Sequence, residues 1–379
     1  MLDRPIASLG PIDSAEDDGP VNDVVENAAE PVKTEPAPVS QARAVEIPSP
    51  YLLFMGDVIE KGYAKTALGL RDWVPEKCVG ELALPTATVS TGLPAMSPAQ
   101  AKAKGARSMV IGVAASGGAI KPNWLPSLIE ALEAGLDLVS GMHSRLTDIP
   151  ALAEAAGRLG RQLIDIRVPP ANLPIGTGLK RSGKRILTVG TDCALGKKYT
   201  ALALARGIAA RGVACDFRAT GQTGIMIAGG GMPMDAVVSD FESGAAEVLS
   251  PAAADDHWDV IEGQGSLFHP GFAGVSLGLL HGSQPDVIVL CHEPGRDRVL
   301  GSESFATPSI EDAIDLNIRL GSRTNPAIRC GGVSLNTSGL SAEAAEALLA
   351  SESARLGLPV ADPLRGGPAF DRLVDSCLG

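Results

Sequence analysis

A glycine-bounded turn in the middle of the chain combines residues that could bind a phosphate group. It runs from Gly190 to Gly196, it follows an apolar run at 186–189, and Lys197 comes directly after it. The alanine-rich segment 201–210 that follows is typical of a packed helix. Unpaired backbone N–H groups at the start of such a helix point at an anion, and the helix dipole strengthens the attraction. The sequence therefore predicts a phosphate-binding loop in which Lys197 adds a mobile positive charge.

The loop departs from the usual P-loop pattern at two points. Five residues separate Gly190 from Gly196, where the common form has four. Lys198 stands where a Ser or Thr hydroxyl normally binds Mg²⁺. The spacing resembles that of dethiobiotin synthetase, whose loop reads Gly-Thr-Asp, three residues, then Gly-Lys-Thr, and Thr191 and Asp192 match it here. The pattern indicates phosphate binding more than ATP hydrolysis.

Polar residues also follow three later strand-like runs. Glu262 follows the run at 258–261, His292 ends the run at 286–292, and Asn336 ends the run at 327–336. Because the carboxyl ends of parallel strands meet at one edge of a sheet, we expect these residues near the phosphate loop. The residues predicted to bind a nucleotide-bearing cofactor are Gly190, Thr191, Asp192, Gly196, Lys197, Lys198, Tyr199 and Thr200. The resemblance to dethiobiotin synthetase, whose relatives read the purine edge with an Asn at the end of this strand, implies that Asn336 joins them.

Strand-like and helix-like runs alternate along the chain from residue 50 onward, which implies parallel βαβ units. The predicted fold class is α/β, with an N-terminal Rossmann-like parallel sheet and a C-terminal P-loop NTPase-like parallel sheet. The chain is long enough for each domain to have its own core. The predicted segments are a disordered acidic tail at 1–48, the Rossmann-like domain at 49–170, a linker at 171–184 and the P-loop domain at 185–379. Ser116-Gly117-Gly118 is either a ligand-binding turn or a plain turn.

The net charge of −12 argues against a nucleic-acid partner. The first 48 residues hold ten acidic and three basic side chains, a net charge of −7, which leaves −5 for the rest. The six cysteines form no CxxC pair and read as reduced core residues, while Cys193 reads as a small loop residue more than a reactive thiol. No apolar run is long enough for a membrane span. We therefore expect a soluble cytoplasmic protein, and no metal ligands are assigned.

Four segments resemble the two-domain P-loop family long catalogued as a domain of unknown function and often mislabelled as an NAD-dependent epimerase: 190–200, 219–224, 262–270 and 292–295. The similarity covers everything except the acidic tail. One member of this family transfers acetyl from acetyl-CoA to the amine of D-glutamate in D-amino-acid catabolism. The resemblance thus implies an N-acetyltransferase with acetyl-CoA as co-substrate and D-glutamate as acceptor, and the phosphate loop would hold the phosphates of coenzyme A.

Aminolysis of a thioester needs a base for the amine proton and donors for the developing oxyanion. The candidate bases are Glu262, His269 and His292, although Glu262 could instead be a metal ligand and the histidines could be hydrogen-bonded turn residues. The two carboxylates of D-glutamate favour bidentate arginine ligands. The candidates for substrate binding are Arg296, Arg298, Arg145 and Gln222.

Three other functions stay open at this stage. An ATP- and Mg²⁺-dependent ligase of the dethiobiotin-synthetase kind would need a metal ligand in place of Lys198, which Thr200 or Thr191 could supply. A nucleotide-binding regulator could use the acidic tail as its partner arm. An NAD-dependent oxidoreductase is disfavoured, because no Gly-x-Gly-x-x-Gly turn follows either N-terminal strand. We expect a homodimer, although no residue requires it.

Overall fold

The computed structural model describes residues 46–113 and 118–379. The predicted acidic tail lies outside this part of the chain except for its last three residues. Ser116 and Gly117 of the predicted glycine turn also lie outside it. No helix in the described ranges has both the length and the apolar character that crossing a bilayer requires.

The first half of the chain forms a five-stranded parallel sheet. Its strands are Tyr51–Gly56 (β1), Cys78–Ala83 (β2), Ser108–Ile111 (β3), Asp137–Ser140 (β4) and Leu163–Asp165 (β5). The accompanying helices are Lys65–Trp73 (α1), Pro98–Ala103 (α2), Leu125–Glu133 (α3) and Pro150–Leu159 (α4). The strand order is β2-β1-β3-β4-β5. Every residue of β1, β3 and β4 is buried, as expected for strands covered on both faces.

The second half forms a six-stranded parallel sheet and a small antiparallel ribbon. The strands of the large sheet are Lys184–Gly190 (β6), Cys215–Arg218 (β7), Trp258–Ile261 (β8), Val287–His292 (β9), Arg329–Leu335 (β12) and Val360–Ala361 (β13). The ribbon pairs Arg298–Val299 (β10) with Ser302–Ala306 (β11). The helices are Lys197–Ala209 (α5), Gln222–Ala228 (α6), Glu242–Leu249 (α7), Ala273–Ser283 (α8), Ile310–Gly321 (α9), Ala342–Leu356 (α10) and Gly367–Leu378 (α11).

The strand order of the large sheet, β13-β12-β9-β6-β8-β7, places the strand before the phosphate loop at its centre. β6 pairs with β8 on one side and with β9 on the other, both in parallel. All six strands therefore end at the same edge of the sheet, which is where ligands bind in open α/β sheets. The predicted α/β class with parallel sheets is confirmed, and this edge carries the loops that the sequence singled out.

One hydrophobic core crosses from the first sheet into the second half of the chain. The buried residues Ile225, Met226 and Ile227 of α6 belong to the same cluster as the strands β1, β3 and β4. Helix α1 packs on α6, and the hydroxyl groups of Thr66 and Thr223 are 2.9 Å apart. The core of the first sheet is therefore completed by α6 from the second half of the chain. The large sheet has two further clusters of buried residues.

The segment 220–224 is partly helical, since α6 begins at Gln222. Its glycines suggest a turn when they are read alone, but the apolar run at 225–227 is buried against the first sheet. Tertiary packing thus outweighs the weak local helix propensity of glycine. The predicted linker also has a defined place, because the backbone and hydroxyl of Thr177 donate to the carboxylate of Glu247 on α7.

Candidate active site

A cleft of about 660 Å³ opens at the carboxyl edge of the large sheet. The phosphate loop and the first turn of α5, residues 193–200, form its floor. The loops after β8, β12 and β13 and the start of α6 contribute further walls, and Lys65 and Arg167 reach it from the first half of the chain. The predicted loop thus faces a cavity large enough for a small-molecule ligand.

Lys197 begins helix α5 directly after Gly196, whose φ of 107° lies in the left-handed region that favours glycine. The side chain of Lys197 is 7% exposed. Its Nζ donates a hydrogen bond to the main-chain oxygen of Asp192, at 2.7 Å. Burial lowers the pKa of this ammonium group. The lysine therefore lies over its own loop at the edge of the cleft, where an anionic ligand would restore the solvation that burial removes.

Asp192 does not face the cleft. Its carboxylate is fully buried and accepts hydrogen bonds from the backbone N–H of Cys193 at 2.6 Å and of Leu300 at 2.8 Å. The guanidinium of Arg296 lies 3.2 Å from the same carboxylate. Asp192 therefore fastens the phosphate loop to the segment after β9. Gly190 and Thr191, two further residues predicted to bind the cofactor, are also buried and do not line the cleft.

The two hydroxyl groups that could replace the missing Mg²⁺ ligand are both engaged inside the protein. Thr200 Oγ1 lies 2.8 Å from Ser334 Oγ, and both side chains are buried. Thr191 Oγ1 lies 3.0 Å from His292 Nδ1. Thr191 does not line the cleft, and the Thr200 hydroxyl in the cleft wall is engaged by Ser334, so these residues do not fit a P-loop magnesium site.

Lys198 lies in the cleft wall at the position where the usual P-loop has its hydroxyl. Its Nζ lies 4.4 Å from the centre of the Tyr199 ring, which is within the range of a cation–π contact. Burial lowers the pKa of Lys198, and the negative charge of Glu262 opposes this shift. The wall of the cleft therefore carries a cation where an ATPase would carry a metal ligand.

Glu262 follows β8, is 5% exposed and lines the cleft. Its Oε2 accepts hydrogen bonds from the backbone N–H groups of Thr220 and Gly221, both at 3.0 Å. Burial raises the pKa of this carboxyl, while these hydrogen bonds and the nearby Lys198 counteract the rise. A carboxylate with a raised pKa in a cleft is suited to accept a proton near neutral pH.

The two candidate histidines are placed differently from Glu262. His269 is buried; its Nδ1 accepts from the backbone N–H of Gly271 at 3.0 Å, and its Nε2 lies 3.3 Å from the Leu300 oxygen. His292 contacts Thr191 as described, and burial lowers its pKa. Neither imidazole lines the cleft. Of the three candidate bases, the structure brings only Glu262 to the cleft surface.

Cys193 lies in the cleft wall, and one imidazole nitrogen of His269 and a carboxylate oxygen of Asp192 are within 4.8 Å of its sulfur. The sequence did not reveal this neighbouring histidine. Burial raises the pKa of the Cys193 thiol, and both imidazole nitrogens already have hydrogen-bond partners. The arrangement agrees with a small loop residue, because a reactive thiol requires a lowered pKa.

The four residues predicted to bind substrate fall into two groups. Gln222 lines the cleft, and Arg145 lines a neighbouring cavity. Arg296 instead donates to the Cys193 oxygen at 2.7 Å and pairs with Asp192 and Glu293, so its guanidinium braces the phosphate loop. Arg298 is exposed on β10 and lies apart from both cavities.

Asn336 follows β12 and lines the opposite side of the cleft from Glu262, because β12 and β8 lie on opposite sides of β6. Its Oδ1 accepts from the backbone N–H of Ser338 at 3.2 Å. Pro363 and Leu364 add apolar surface beside it. This end of the cleft offers an amide and an apolar wall, which are the contacts that a purine ring requires.

Lys65, Arg167, Asp235 and Gln264 also line the cleft, and none of them was predicted. Lys65 is the first residue of α1, and Arg167 comes two residues after the end of β5. The position of Arg167 just beyond a strand end of the first sheet would have been a usable signal. The sequence did not show how the two sheets face each other, and this orientation decides which residues of the first half reach the cleft.

Known proteins with similar sequences cover nearly all of the described chain. Residues 174–374 match the family model described as domain of unknown function (DUF1611_C) P-loop domain, and residues 76–169 match the DUF1611_N Rossmann-like domain. The predicted order of a Rossmann-like and a P-loop domain is thus confirmed. A protein named D-glutamate N-acetyltransferase from Tritonibacter scottomollicae is 49% identical over 330 residues, which are 87% of this chain and 98% of that protein.

A second protein of the same name, from a Pseudoalteromonas species, is 49% identical over 323 residues, covering 85% of this chain and 97% of that protein. The crystal structure of a DUF1611 family protein from Anabaena variabilis has a TM-score of 0.74 at 33% identity. It covers 86% of this chain and 98% of its own. The family resemblance predicted from the four motif segments is confirmed: the chain belongs to the DUF1611 family.

Proposed function

We propose that this protein is a D-glutamate N-acetyltransferase that uses acetyl-CoA as its acetyl donor. The observation that carries the proposal is the shared name of the two curated relatives, each nearly half identical to this chain over almost their full lengths. The cleft supports it independently, since it combines a phosphate-binding helix start with a buried carboxylate of raised pKa.

The proposed donor site follows the cleft across the edge of the sheet. Asn336 and the apolar wall beside it receive the adenine ring of coenzyme A. The start of α5, with Lys197 and Lys198, receives the phosphates, because a helix N-terminus and ammonium groups both stabilise anions. The pantetheine arm then runs toward Glu262 on the other side of β6. Acetyl transfer requires no metal at the phosphates, which agrees with the engaged hydroxyl of Thr200.

In the proposed reaction, the amine of D-glutamate attacks the thioester carbonyl carbon, a C–N bond forms and the C–S bond breaks. Glu262 accepts the proton that the amine loses, and coenzyme A leaves as the thiolate. A positioned base contributes roughly 10²–10⁴-fold to such a step. Holding the two substrates together contributes about 7–11 kcal/mol of the barrier, so positioning is the larger share.

We also propose a cytoplasmic location and a homodimer, as the sequence predicted. All six cysteines lie in the described ranges and are free thiols, which supports a reducing compartment. Light scattering coupled to size-exclusion chromatography measures the mass in solution, and a monomer would contradict the homodimer.

The decisive experiment incubates the purified protein with D-glutamate and acetyl-CoA and follows the release of free thiol, with N-acetyl-D-glutamate identified by mass spectrometry. A parallel reaction contains ATP and Mg²⁺ in place of acetyl-CoA. We expect thiol release that depends on D-glutamate and requires no ATP. Phosphate release from ATP without thiol release would instead establish a ligase of the dethiobiotin-synthetase kind and overturn the proposal.

A further inference from the structure

A second cavity of about 650 Å³ lies beside the cleft, between the loops of the first sheet and helices α7 and α8. Four residues line both cavities: Arg167, Asp235, Phe272 and Val275. We call the second cavity the chamber and these four residues the neck. Because the neck lines both cavities, the chamber and the cleft share these four residues as their common boundary.

The neck is held by an ion pair between the two halves of the chain. Arg167 follows β5, and its guanidinium pairs with the carboxylate of Asp235. Its Nε also donates to the Gly141 oxygen, at 2.9 Å. The charge of Arg167 is therefore balanced by a protein carboxylate, and this residue is not the cation that selects an anionic ligand.

Arg145 is the second arginine that lines the chamber. It lines the chamber but not the cleft, and its guanidinium has no hydrogen-bond or ion-pair partner in residues 46–113 and 118–379. No ion pair joins it to the nearby Asp165, whose oxygens accept from the backbone N–H of Leu146 at 2.8 Å and the hydroxyl of Thr147 at 3.1 Å. An unpaired guanidinium in a cavity is suited to bind a carboxylate in a bidentate manner.

The remaining acid of the chamber is Glu242, at the start of α7. Burial raises its pKa. His143 adds a further polar group from the same loop as Arg145. The chamber therefore holds the ion pair of the neck and, outside the neck, Arg145 together with the carboxyl groups of Asp165 and Glu242.

We propose that the chamber binds the acidic amino-acid acceptor and that Arg145 holds its side-chain carboxylate. This inference rests on the proposed acetyl transfer. The amine must lie at the neck, since it has to reach a thioester in the cleft. The α-carboxylate is attached to the same carbon as the amine and stays near the neck. The side-chain carboxylate is the group that can extend to Arg145, so this residue sets the preference for glutamate over its amide.

The test compares kcat/KM for D-glutamate and D-glutamine in the wild type, Arg145→Gln and Arg145→Lys. In Arg145→Gln we expect kcat/KM for D-glutamate to fall roughly 10- to 150-fold, as for the loss of a charge-assisted hydrogen bond. The value for D-glutamine and the KM for acetyl-CoA should stay unchanged. Arg145→Lys keeps the positive charge but lacks the planar guanidinium, so its kcat/KM for D-glutamate should lie between those of the wild type and Arg145→Gln. Arg319→Gln, on the exposed face of α9, is the matched control.

An equal loss for both amino acids, or an unchanged preference for D-glutamate in Arg145→Gln, would overturn the assignment of Arg145. Equal thermal midpoints for wild type and variant establish that the chamber is intact, which is expected because Arg145 is exposed. The failure of the proposed function is a separate result, since the wild type itself would then release no thiol with D-glutamate.

Discussion

Replacing Glu262 with Gln removes one negative charge from the cleft and changes little else. The substituted amide keeps an oxygen that can accept from the backbone N–H groups of Thr220 and Gly221, as Glu262 Oε2 does now. If Glu262 accepts the amine proton, kcat should fall about 10²–10⁴-fold, which is about 3–5 kcal/mol of activation free energy. The KM for acetyl-CoA should change little, because the phosphates and the adenine contact other residues.

Glu262→Gln, which should lower kcat, should not lower the stability of the fold. Because burial raises the pKa of Glu262, the folded protein binds its proton more readily than the unfolded chain does. The resulting destabilisation is absent below the unfolded pKa and fully present above the folded pKa. Glu262→Gln removes it, so the free energy of unfolding should stay equal or increase while activity is lost. Urea unfolding at neutral pH measures this change.

The pH profile provides a further readout for Glu262. A base must be deprotonated, so the kcat/KM of the wild type should fall as the pH drops through the raised pKa of Glu262. In Glu262→Gln this acidic limb should disappear. The matched control is Glu81→Gln, because Glu81 is also 5% exposed and accepts from the backbone N–H of Thr91 at 2.7 Å but lies away from both cavities. A kcat in Glu262→Gln within roughly tenfold of wild type would refute the role as base.

Three other substitutions probe the loop and its surroundings. Lys197→Ala should raise the KM for acetyl-CoA roughly 10- to 150-fold with little effect on that for D-glutamate, and unchanged initial-rate kinetics would contradict phosphate binding at this loop. Thr200→Ala loses its hydrogen bond to Ser334, so thermal unfolding should show about 1 kcal/mol lower stability. The wild type and Thr200→Ala should both keep their activity in EDTA, and a loss of activity on chelation would reveal a metal. Gly224→Ala would place a methyl group on Glu262 Oε2, so it should lower kcat in the thiol-release assay, whereas full activity would show that the carboxylate can move freely.

The phosphate loop could be predicted because its signal is local. An apolar strand, a glycine turn, a lysine and an alanine-rich helix follow one another directly, and the structure has β6 and α5 at these positions. The end of β12 at Leu335 placed Asn336 at the sheet edge for the same reason. Parallel topology then brings such strand ends together without any further information.

The directions of individual side chains were not predictable in this way. Arg296 and His269 both lie in loops at the correct edge, yet both turn inward to hydrogen-bond partners elsewhere in the chain. The partner of Arg296 is Asp192, which is 104 positions away in the sequence. A charged residue at a strand end can either face a ligand or brace a loop, and only the three-dimensional contacts distinguish the two. The pair between Arg167 and Asp235 was missed because it depends on how the two sheets face each other.

The hydrophobic core that extends from the first sheet to α6 affects the order in which the polypeptide can fold. During synthesis, the first half leaves the ribosome before Ile225, Met226 and Ile227 have been made. The apolar surface that these residues cover then stays in contact with water until translation has passed residue 228. A nascent chain arrested at the end of β5 would therefore be a ligand for chaperones, whereas one extended beyond α6 can complete the first core.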